Sequence, residues 1–194
     1  DELGVQLMVS IWPTVSPLSE NYEALDAGGL LVGADQGVNF HATIRDKGMA
    51  VPMPVAYYDP TNPRTREFLW SVIKRNYFDL GVRVWWLDAC EPEINPGHPA
   101  NLTLYAGPGA EVSGIYPRDN ARMFAEGMQA EGAETVLLVG GGLGNAVLFS
   151  IGQKLREEGS RVIYFAGYKK IIDRYKVAEI ENAGFEHLSP AECQ

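Results

Sequence analysis

The stretch from Asn62 to Asp88 constrains this chain more than any other. Asn62 suits a helix N-cap, because its side-chain oxygen can accept from one of the unpaired first-turn N–H groups. Pro63 suits the first helical position, where a missing N–H costs nothing. Leu69, Val72, Ile73, Tyr77 and Leu80 then recur at helical spacing, and Gly81 supplies the stop. Val82–Leu87 follows as an apolar strand, Val-Arg-Val-Trp-Trp-Leu, and ends at Asp88. Helix, glycine stop, buried strand and then a carboxylate is the pattern of a repeating βα unit. In such units the chemistry collects at the C-terminal ends of parallel strands.

The rest of the chain extends that pattern. Val5–Trp12, stopped by Pro13, predicts a fully buried strand. The stretch 16–49 is loop-like, punctuated by Gly28-Gly29, Asp35-Gln36-Gly37 and Asp46-Lys47-Gly48, with room for a short helix over 19–27 and a short strand over 38–44. Pro52 and Pro54 demote Val51–Tyr58 to an edge or irregular strand. The Pro-, Gly- and Asn-rich stretch 91–117 predicts a long loop, and Arg118–Ala130 a helix with Met123, Phe124 and Met128 on one side. Thr135–Val139 predicts another buried strand, Gly140–Gly144 a tight turn and Ala146–Glu158 a helix. A strand over Arg161–Ala166 and a helix over Lys169–Ala183 complete the order. The expected fold class is α/β: a parallel sheet of βα units, forming either a partial TIM barrel (a half-barrel) or an open Rossmann-like sheet. A half-barrel exposes apolar surface and so favours a homodimer.

Composition narrows the partners. With 46% hydrophobic and 21% charged residues, the chain can build a packed core. Its net charge of −9 argues against nucleic acid and anionic lipid, both of which need basic surface. No run approaches the roughly 18 apolar residues of a membrane span. Cys90 and Cys193 are too few for a disulfide framework and fit reduced thiols in a cytoplasmic setting. A chain that begins at Asp1 and soon enters a strand reads as a fragment, a processed chain or an engineered one. Asn101-Leu102-Thr103 fits a glycosylation acceptor, which matters only in a secreted protein.

Asp88-Ala89-Cys90-Glu91-Pro92-Glu93 places three carboxylates just after a strand that carries two tryptophans near its end. Sugar-cleaving enzymes need one ionised carboxylate at the anomeric carbon and a second, protonated one at the leaving group. Aromatic faces suit the apolar C–H patches of sugar rings. An equally ordinary role for Trp85 and Trp86 is packing, one inside a barrel and the other under a helix. His41 reads as structural rather than catalytic.

These residues resemble a known family. Trp86-Leu87-Asp88-Ala89-Cys90-Glu91-Pro92 looks like the nucleophile motif of glycoside hydrolase family 31, the α-glucosidases and α-xylosidases. Ile11-Trp12-Pro13-Thr14 resembles the end of an earlier barrel strand of that family. Tyr58-Asp59-Pro60-Thr61-Asn62-Pro63 and Asn76-Tyr77-Phe78-Asp79 resemble its preceding helix. Tyr105-Ala106-Gly107-Pro108 and Ile115-Tyr116-Pro117 resemble the loop after the nucleophile. The resemblance covers residues 1–132 and implies a retaining mechanism on α-linked sugars. It makes Asp88 the nucleophile and Glu91 a supporting acid, with Trp12 and Trp86 lining the sugar pocket. It requires no cofactor and no metal. The family's acid/base aspartate, in a Trp-Ser-Gly-Asp context, has no counterpart here, and a whole barrel takes about 250 residues. Hydrolysis is therefore expected to be weak or absent.

A second constellation lies further on. Val136–Val139 leads into Gly140-Gly141-Gly142-Leu143-Gly144-Asn145, a strand, a glycine turn and a helix start that can bring backbone N–H groups to a phosphate. Asn145 stands where a Gly-x-Gly-x-x-Gly pattern counted from Gly140 has its third glycine, and the following strand ends without a ribose-binding acid. A glycine-tolerant βα turn explains the segment equally well. Residues 134–183 nevertheless resemble the NAD(P)-binding domain of ferredoxin reductase-like flavoproteins. That resemblance implies an NAD(P) cofactor held by Gly140, Gly141, Gly142, Gly144 and Asn145. The chain thus divides into a glycosidase-like part, 1–132, and a dinucleotide-binding-like part, 133–194, packed as one domain, with a chimera as the simplest origin. The three functional expectations are a glycosidase-derived domain for an α-linked sugar or other small-molecule ligand, an NAD(P)-binding module, and an inert scaffold.

Overall fold

The computed structural model describes residues 5–34, 42–45, 50–90, 101–133, 135–141, 144–167, 177–182 and 186–188. His41, Glu91, Gly142 and Cys193 lie outside them. The chain divides into two compact units, Asp1–Met123 and Phe124–Gln194.

In the first unit, β1 (Met8–Ile11) pairs in parallel with β6 (Val84–Leu87), Met8 opposite Val84 and Ile11 opposite Leu87. Between them in sequence lie β2 (Thr14–Val15), α1 (Tyr22–Ala27), β3 (Gly33–Ala34), β4 (Ala42–Ile44), β5 (Met53–Tyr57) and α2 (Pro63–Asn76). After β6 come β7 (Leu102–Leu104), β8 (Gly107–Pro108), α3 (Gly109–Val112) and the start of α4 (Tyr116–Ala130). Two antiparallel sheets, β2-β5-β4 and β3-β7-β8, accompany the parallel pair.

Helix α2 forms for the reasons its sequence states. Asn62 caps it by accepting from the Arg64 N–H at 3.0 Å, and Leu69 and Ile73 are its buried stripe. It ends at Asn76, earlier than the apolar spacing suggests, because a 3₁₀ turn over Phe78–Leu80 intervenes. Gly81, at φ 101, takes the left-handed conformation that closes that turn. Tyr77 and Leu80 are consequently exposed.

β5 is the centre of its sheet, not an edge. β4 pairs with Met53–Val55 on one side, whereas β2 pairs with Ala56–Tyr57 on the other. The two partners cover different halves, so among the described residues Pro54 has a neighbour strand on one side only and its missing N–H breaks no second ladder. The loop-like stretches also hold more order than their composition suggests. β3 pairs with β7, and Val32, Tyr57, Leu102, Leu104 and Tyr116 form a buried cluster with Ala42 and Val112 against it.

The expected burial of the first strand is not met. Val5, Leu7 and Met8 are exposed, and along β1 exposed and half-buried residues alternate. A barrel strand is covered on both faces, by lumen side chains and by helices. Among the described residues the sheets are not closed into a barrel, and one face of the β1–β6 pair stays open.

The second unit contains β9 (Thr135–Gly141), α5 (Gly144–Glu157), β10 (Arg161–Gly167), α6 (Val177–Asn182) and β11 (Glu186–Leu188). Its sheet is parallel with order β11-β10-β9, the arrangement expected of successive βα units. α5 begins at Gly144, two residues before the start its sequence suggests, and buries Phe149, Ile151 and Leu155. β9 is buried on one face only: Leu138 is covered, whereas Leu137 and Val139 are 55% and 68% exposed. The glycine turn is shorter than expected, since Gly140 and Gly141 continue the ladder opposite Ala166 and Gly167. Among the described residues β6 and β9 belong to different sheets, so the parallel strands form two ladders rather than one.

Candidate active site

The site follows from the pleat of β6. Successive side chains of a strand point to opposite faces, so Trp85 lies on one face and Val84 and Trp86 on the other, with Asp88 next in that row. Trp85 meets helix α2. Its ring lies edge-on to Trp70 at 6.5 Å and to Tyr77 at 6.2 Å between centroids, and Trp70 in turn meets Phe78 at 5.9 Å. Trp85 therefore packs under a helix. Trp86 faces away from that cluster and is 56% exposed.

The parallel register adds β1 to the same open face. Ser10 stands opposite Trp86, and Met8 opposite Val84. The Asp88 N–H donates to the Ile11 carbonyl at 3.2 Å, extending the ladder one step past β6 and setting Asp88 beside Trp12. Trp12 is 50% exposed. Asp88, half-buried, thus stands at the C-terminal ends of two parallel strands, with two indole rings on hand.

Past Asp88 the chain turns through Ala89, which has a left-handed φ of 51°, and reaches the buried Cys90. The Cys90 thiol approaches the Asp88 carbonyl at 3.4 Å and receives the Asn120 Nδ2–H at 3.0 Å. Asn120 accepts from the Tyr58 hydroxyl through Oδ1 at 2.7 Å, and the Tyr58 carbonyl accepts from the Tyr116 hydroxyl at 2.7 Å. Burial raises the pKa of both phenols well above the usual tyrosine range, and the neighbouring Cys90 adds to the effect. Both remain neutral hydrogen-bond donors.

Asp59 is the second buried anchor. Its Oδ1 accepts from the Thr61 N–H at 2.9 Å and the Thr61 hydroxyl at 2.6 Å, and its Oδ2 from the Tyr105 N–H at 2.6 Å. Burial pushes its carboxyl pKa up, against the opposing pull of these hydrogen bonds. Asp59 thereby ties the start of α2 to the loop at Tyr105, and the Thr61 hydroxyl also accepts from the Ala106 N–H at 3.2 Å.

Of the residues singled out by sequence, the structure therefore brings together Trp12, Trp86 and Asp88. Glu91 lies outside the described residues. Gly140 and Gly141 close β9, Gly144 opens α5 and Asn145 lies in its first turn. Asp59, Tyr58, Tyr116 and Asn120 escape sequence reasoning as site residues. One signal was available for Asp59: Asp-x-Thr ahead of an Asn-Pro helix start is an Asx turn feeding a cap. Asn120, in the middle of a helix, carries no such signal. Among the described residues no group of three or more His, Cys, Asp and Glu side chains could hold a metal ion, and no helix is long and apolar enough to cross a membrane.

Comparison with known proteins agrees with this geometry. The family profile described as "Glycosyl hydrolases family 31 TIM-barrel domain" matches residues 1–143. A chain matched over that much of its length belongs to glycosyl hydrolase family 31, and what it represents is part of that family's barrel. An uncharacterized family 31 glucosidase of Pseudescherichia vulneris is 37% identical over 137 residues, covering 71% of this chain and 25% of the relative. Alpha-xylosidase A of Aspergillus niger is 32% identical over 142 residues, 65% of this chain and 18% of that protein. Among solved structures, a family 31 α-xylosidase from a soil metagenome, complexed with xylose, superposes with a TM-score of 0.61 at 31% identity. That superposition covers 86% of this chain and 20% of the other. The chain thus spans a quarter or less of the length of these relatives. The family match also runs past residue 132, where the sequence resemblance stops, and takes in β9.

Proposed function

We propose that this chain carries the nucleophile of a retaining α-glycosidase, with Asp88 as the attacking carboxylate and Trp12 and Trp86 as the walls that receive the sugar. The observation that supports this reading most is the shared open face: a half-buried carboxylate at a parallel strand's C-terminal end, flanked across the ladder by Trp12 and along the strand by Trp86. In (βα) enzymes that edge is where catalytic groups gather. Relatives in the family are named as α-xylosidases, and one was solved with xylose bound, which points to a small α-linked sugar. Glu91 is assigned a supporting role by its place in the motif.

In the proposed step an Asp88 oxygen forms a bond to the anomeric carbon as the bond to the leaving group breaks, giving a covalent glycosyl-enzyme of inverted anomeric configuration. A general acid contributes ~10²–10⁴-fold by protonating the leaving oxygen. Fluoride departs without a proton, so an α-xylosyl or α-glucosyl fluoride isolates the nucleophile's part. Incubation followed by intact-mass measurement is expected to show a glycosyl adduct that Asp88→Ala loses. A folded wild-type protein that never gains the adduct mass overturns the assignment.

The dinucleotide reading rests on one feature of the second unit, the parallel β9-α5-β10 order with Gly140, Gly141 and Gly144 where the strand passes to the helix. Such a junction can seat a phosphate at the helix N-terminus. The family 31 match already accounts for β9 itself, so this reading ranks second. Calorimetric titration with NADH and NADPH decides it, and absence of heat at millimolar ligand rejects it.

A further inference from the structure

We infer that Asn120, held by Tyr58, is a positioning residue for Asp88: it clamps the two strand ends that carry the candidate nucleophile and its aromatic wall. This rests on the assignment of Asp88 above and concerns how that carboxylate is held.

Tyr58 is linked to both strand ends, to β1 directly and to the turn after β6 through Asn120. Its backbone N–H donates to the Pro13 carbonyl at 3.2 Å, immediately after Trp12, and so fixes the exit from β1. Its hydroxyl donates to Asn120 Oδ1 at 2.7 Å, and Asn120 Nδ2–H donates to the Cys90 sulfur at 3.0 Å, which fixes the turn leaving β6. The Tyr116 hydroxyl, on the same helix as Asn120, closes the arrangement by donating to the Tyr58 carbonyl at 2.7 Å. Tyr58, Tyr116 and Asn120 are all buried, Asn120 at 1% exposure, and Pro13 is among the fully buried residues.

The amide of Asn120 suits this place chemically. It must accept from a phenol at one end and donate to a thiol at the other, and only a group with both capacities does so. The turn it holds contains a non-glycine residue at positive φ, Ala89, a conformation that surrounding structure has to enforce. A clamp on Cys90 therefore governs where the preceding carboxylate points, while the Pro13 contact governs Trp12. A shift of about 1 Å in a reacting group can cost on the order of 10²-fold in rate.

Three variants separate the arms. Asn120→Asp keeps the acceptor for Tyr58 and loses the donor to Cys90, Tyr58→Phe loses the hydroxyl alone, and Asn120→Ala loses both. Two readouts apply to each variant that folds by circular dichroism. The first is amide hydrogen exchange of peptides spanning 9–13 and 84–90, with the α2 peptide 63–76 as internal control. Faster exchange is expected at 84–90 in both Asn120 variants, with α2 unchanged. The second is the rate of adduct formation from an α-glycosyl fluoride. At saturating donor it is expected to fall about 10²-fold in Asn120→Ala, with little change in the donor concentration giving half-maximal rate. Unchanged exchange at 84–90 in the folded variants overturns the clamp, whether or not an adduct forms. Altered exchange together with no adduct on wild-type protein leaves the clamp standing and rejects Asp88 as nucleophile. Equal loss of protection across α2 shows a general fold contribution and also overturns the inference.

Discussion

Two unlike environments meet at Asp88. On one side lies the open face of the β1–β6 pair, with Met8, Trp12 and Trp86 left exposed. On the other lies a set of polar groups, Tyr58, Asp59, Thr61, Tyr116 and Asn120, almost wholly removed from water. The usual distribution is inverted, since large apolar side chains prefer the interior and polar ones the surface. Each half of the inversion has its own cause. Buried polar groups persist because nearly every one is hydrogen-bonded, and Asp59 alone accepts three times. Exposed aromatic rings at a strand end form a surface on which a sugar's C–H patches can rest. The buried polar set is a frame and the open face the proposed binding surface, and the contrast predicts different sensitivities for the two.

The largest expected effect tests the meeting point. Asp88→Ala should abolish adduct formation from an α-glycosyl fluoride by intact mass while leaving the urea midpoint near the wild-type value. If unfolding shifts as much as labelling does, Asp88 belongs to the frame instead.

Next comes the frame itself. Asp59→Ala strands the Thr61 N–H, the Thr61 hydroxyl and the Tyr105 N–H, and should cost about 3 kcal/mol in urea unfolding. Its pH dependence carries a sign. The folded-state pKa of Asp59 is raised above its ordinary value of 3.8, mainly by burial, so the native state holds the proton longer than the unfolded chain does. Asp59's contribution to stability is then greatest below pH 3.8 and is lost as pH rises through the folded-state value. Asp59→Asn removes that titration. The wild-type protein should lose stability relative to this variant as pH is raised from the acid side, and parallel stability curves would contradict the assignment.

Smaller again is the helix cap that leads out of the frame. Asn62→Ala leaves the Arg64 N–H without its acceptor and should lower stability by about 1 kcal/mol, read from thermal or urea unfolding. The smallest stability change belongs to the open face. Trp86→Ala should move unfolding by no more than about 0.5 kcal/mol, as expected of an exposed side chain. The same variant should raise the fluoride concentration needed for half-maximal labelling. A large stability loss would mean that Trp86 is packing material, and the contrast between face and frame would dissolve.

How much of this was legible in the residues varies with the range of the interaction concerned. Helix α2 and its Asn62 cap, strand β6 and the carboxylate at its end are set by neighbours close in sequence, so spacing and turn chemistry reveal them. The shared face of Trp86 and Asp88 follows from the two-residue period of a strand. In sequence Trp12 is grouped with them only through the family resemblance, and the physical reason is the β1–β6 register, which pairs residues far apart in the chain. The Tyr58–Asn120–Cys90 chain is invisible in sequence for the same reason: its members are 62 and 30 residues apart.

What the amino-acid order determined alone is the sequence of βα units, the punctuation between them and the acidic motif at the end of β6, all local consequences of propensity and period. Tertiary structure alone decided which faces are covered. β1 and β9 have the apolar runs of buried strands, yet each leaves one side open, because burial depends on what packs against a strand and not on the strand's own composition. It also decided that polar side chains such as Asp59 and Asn120 could be buried, since only a folded chain supplies the distant partners that satisfy them.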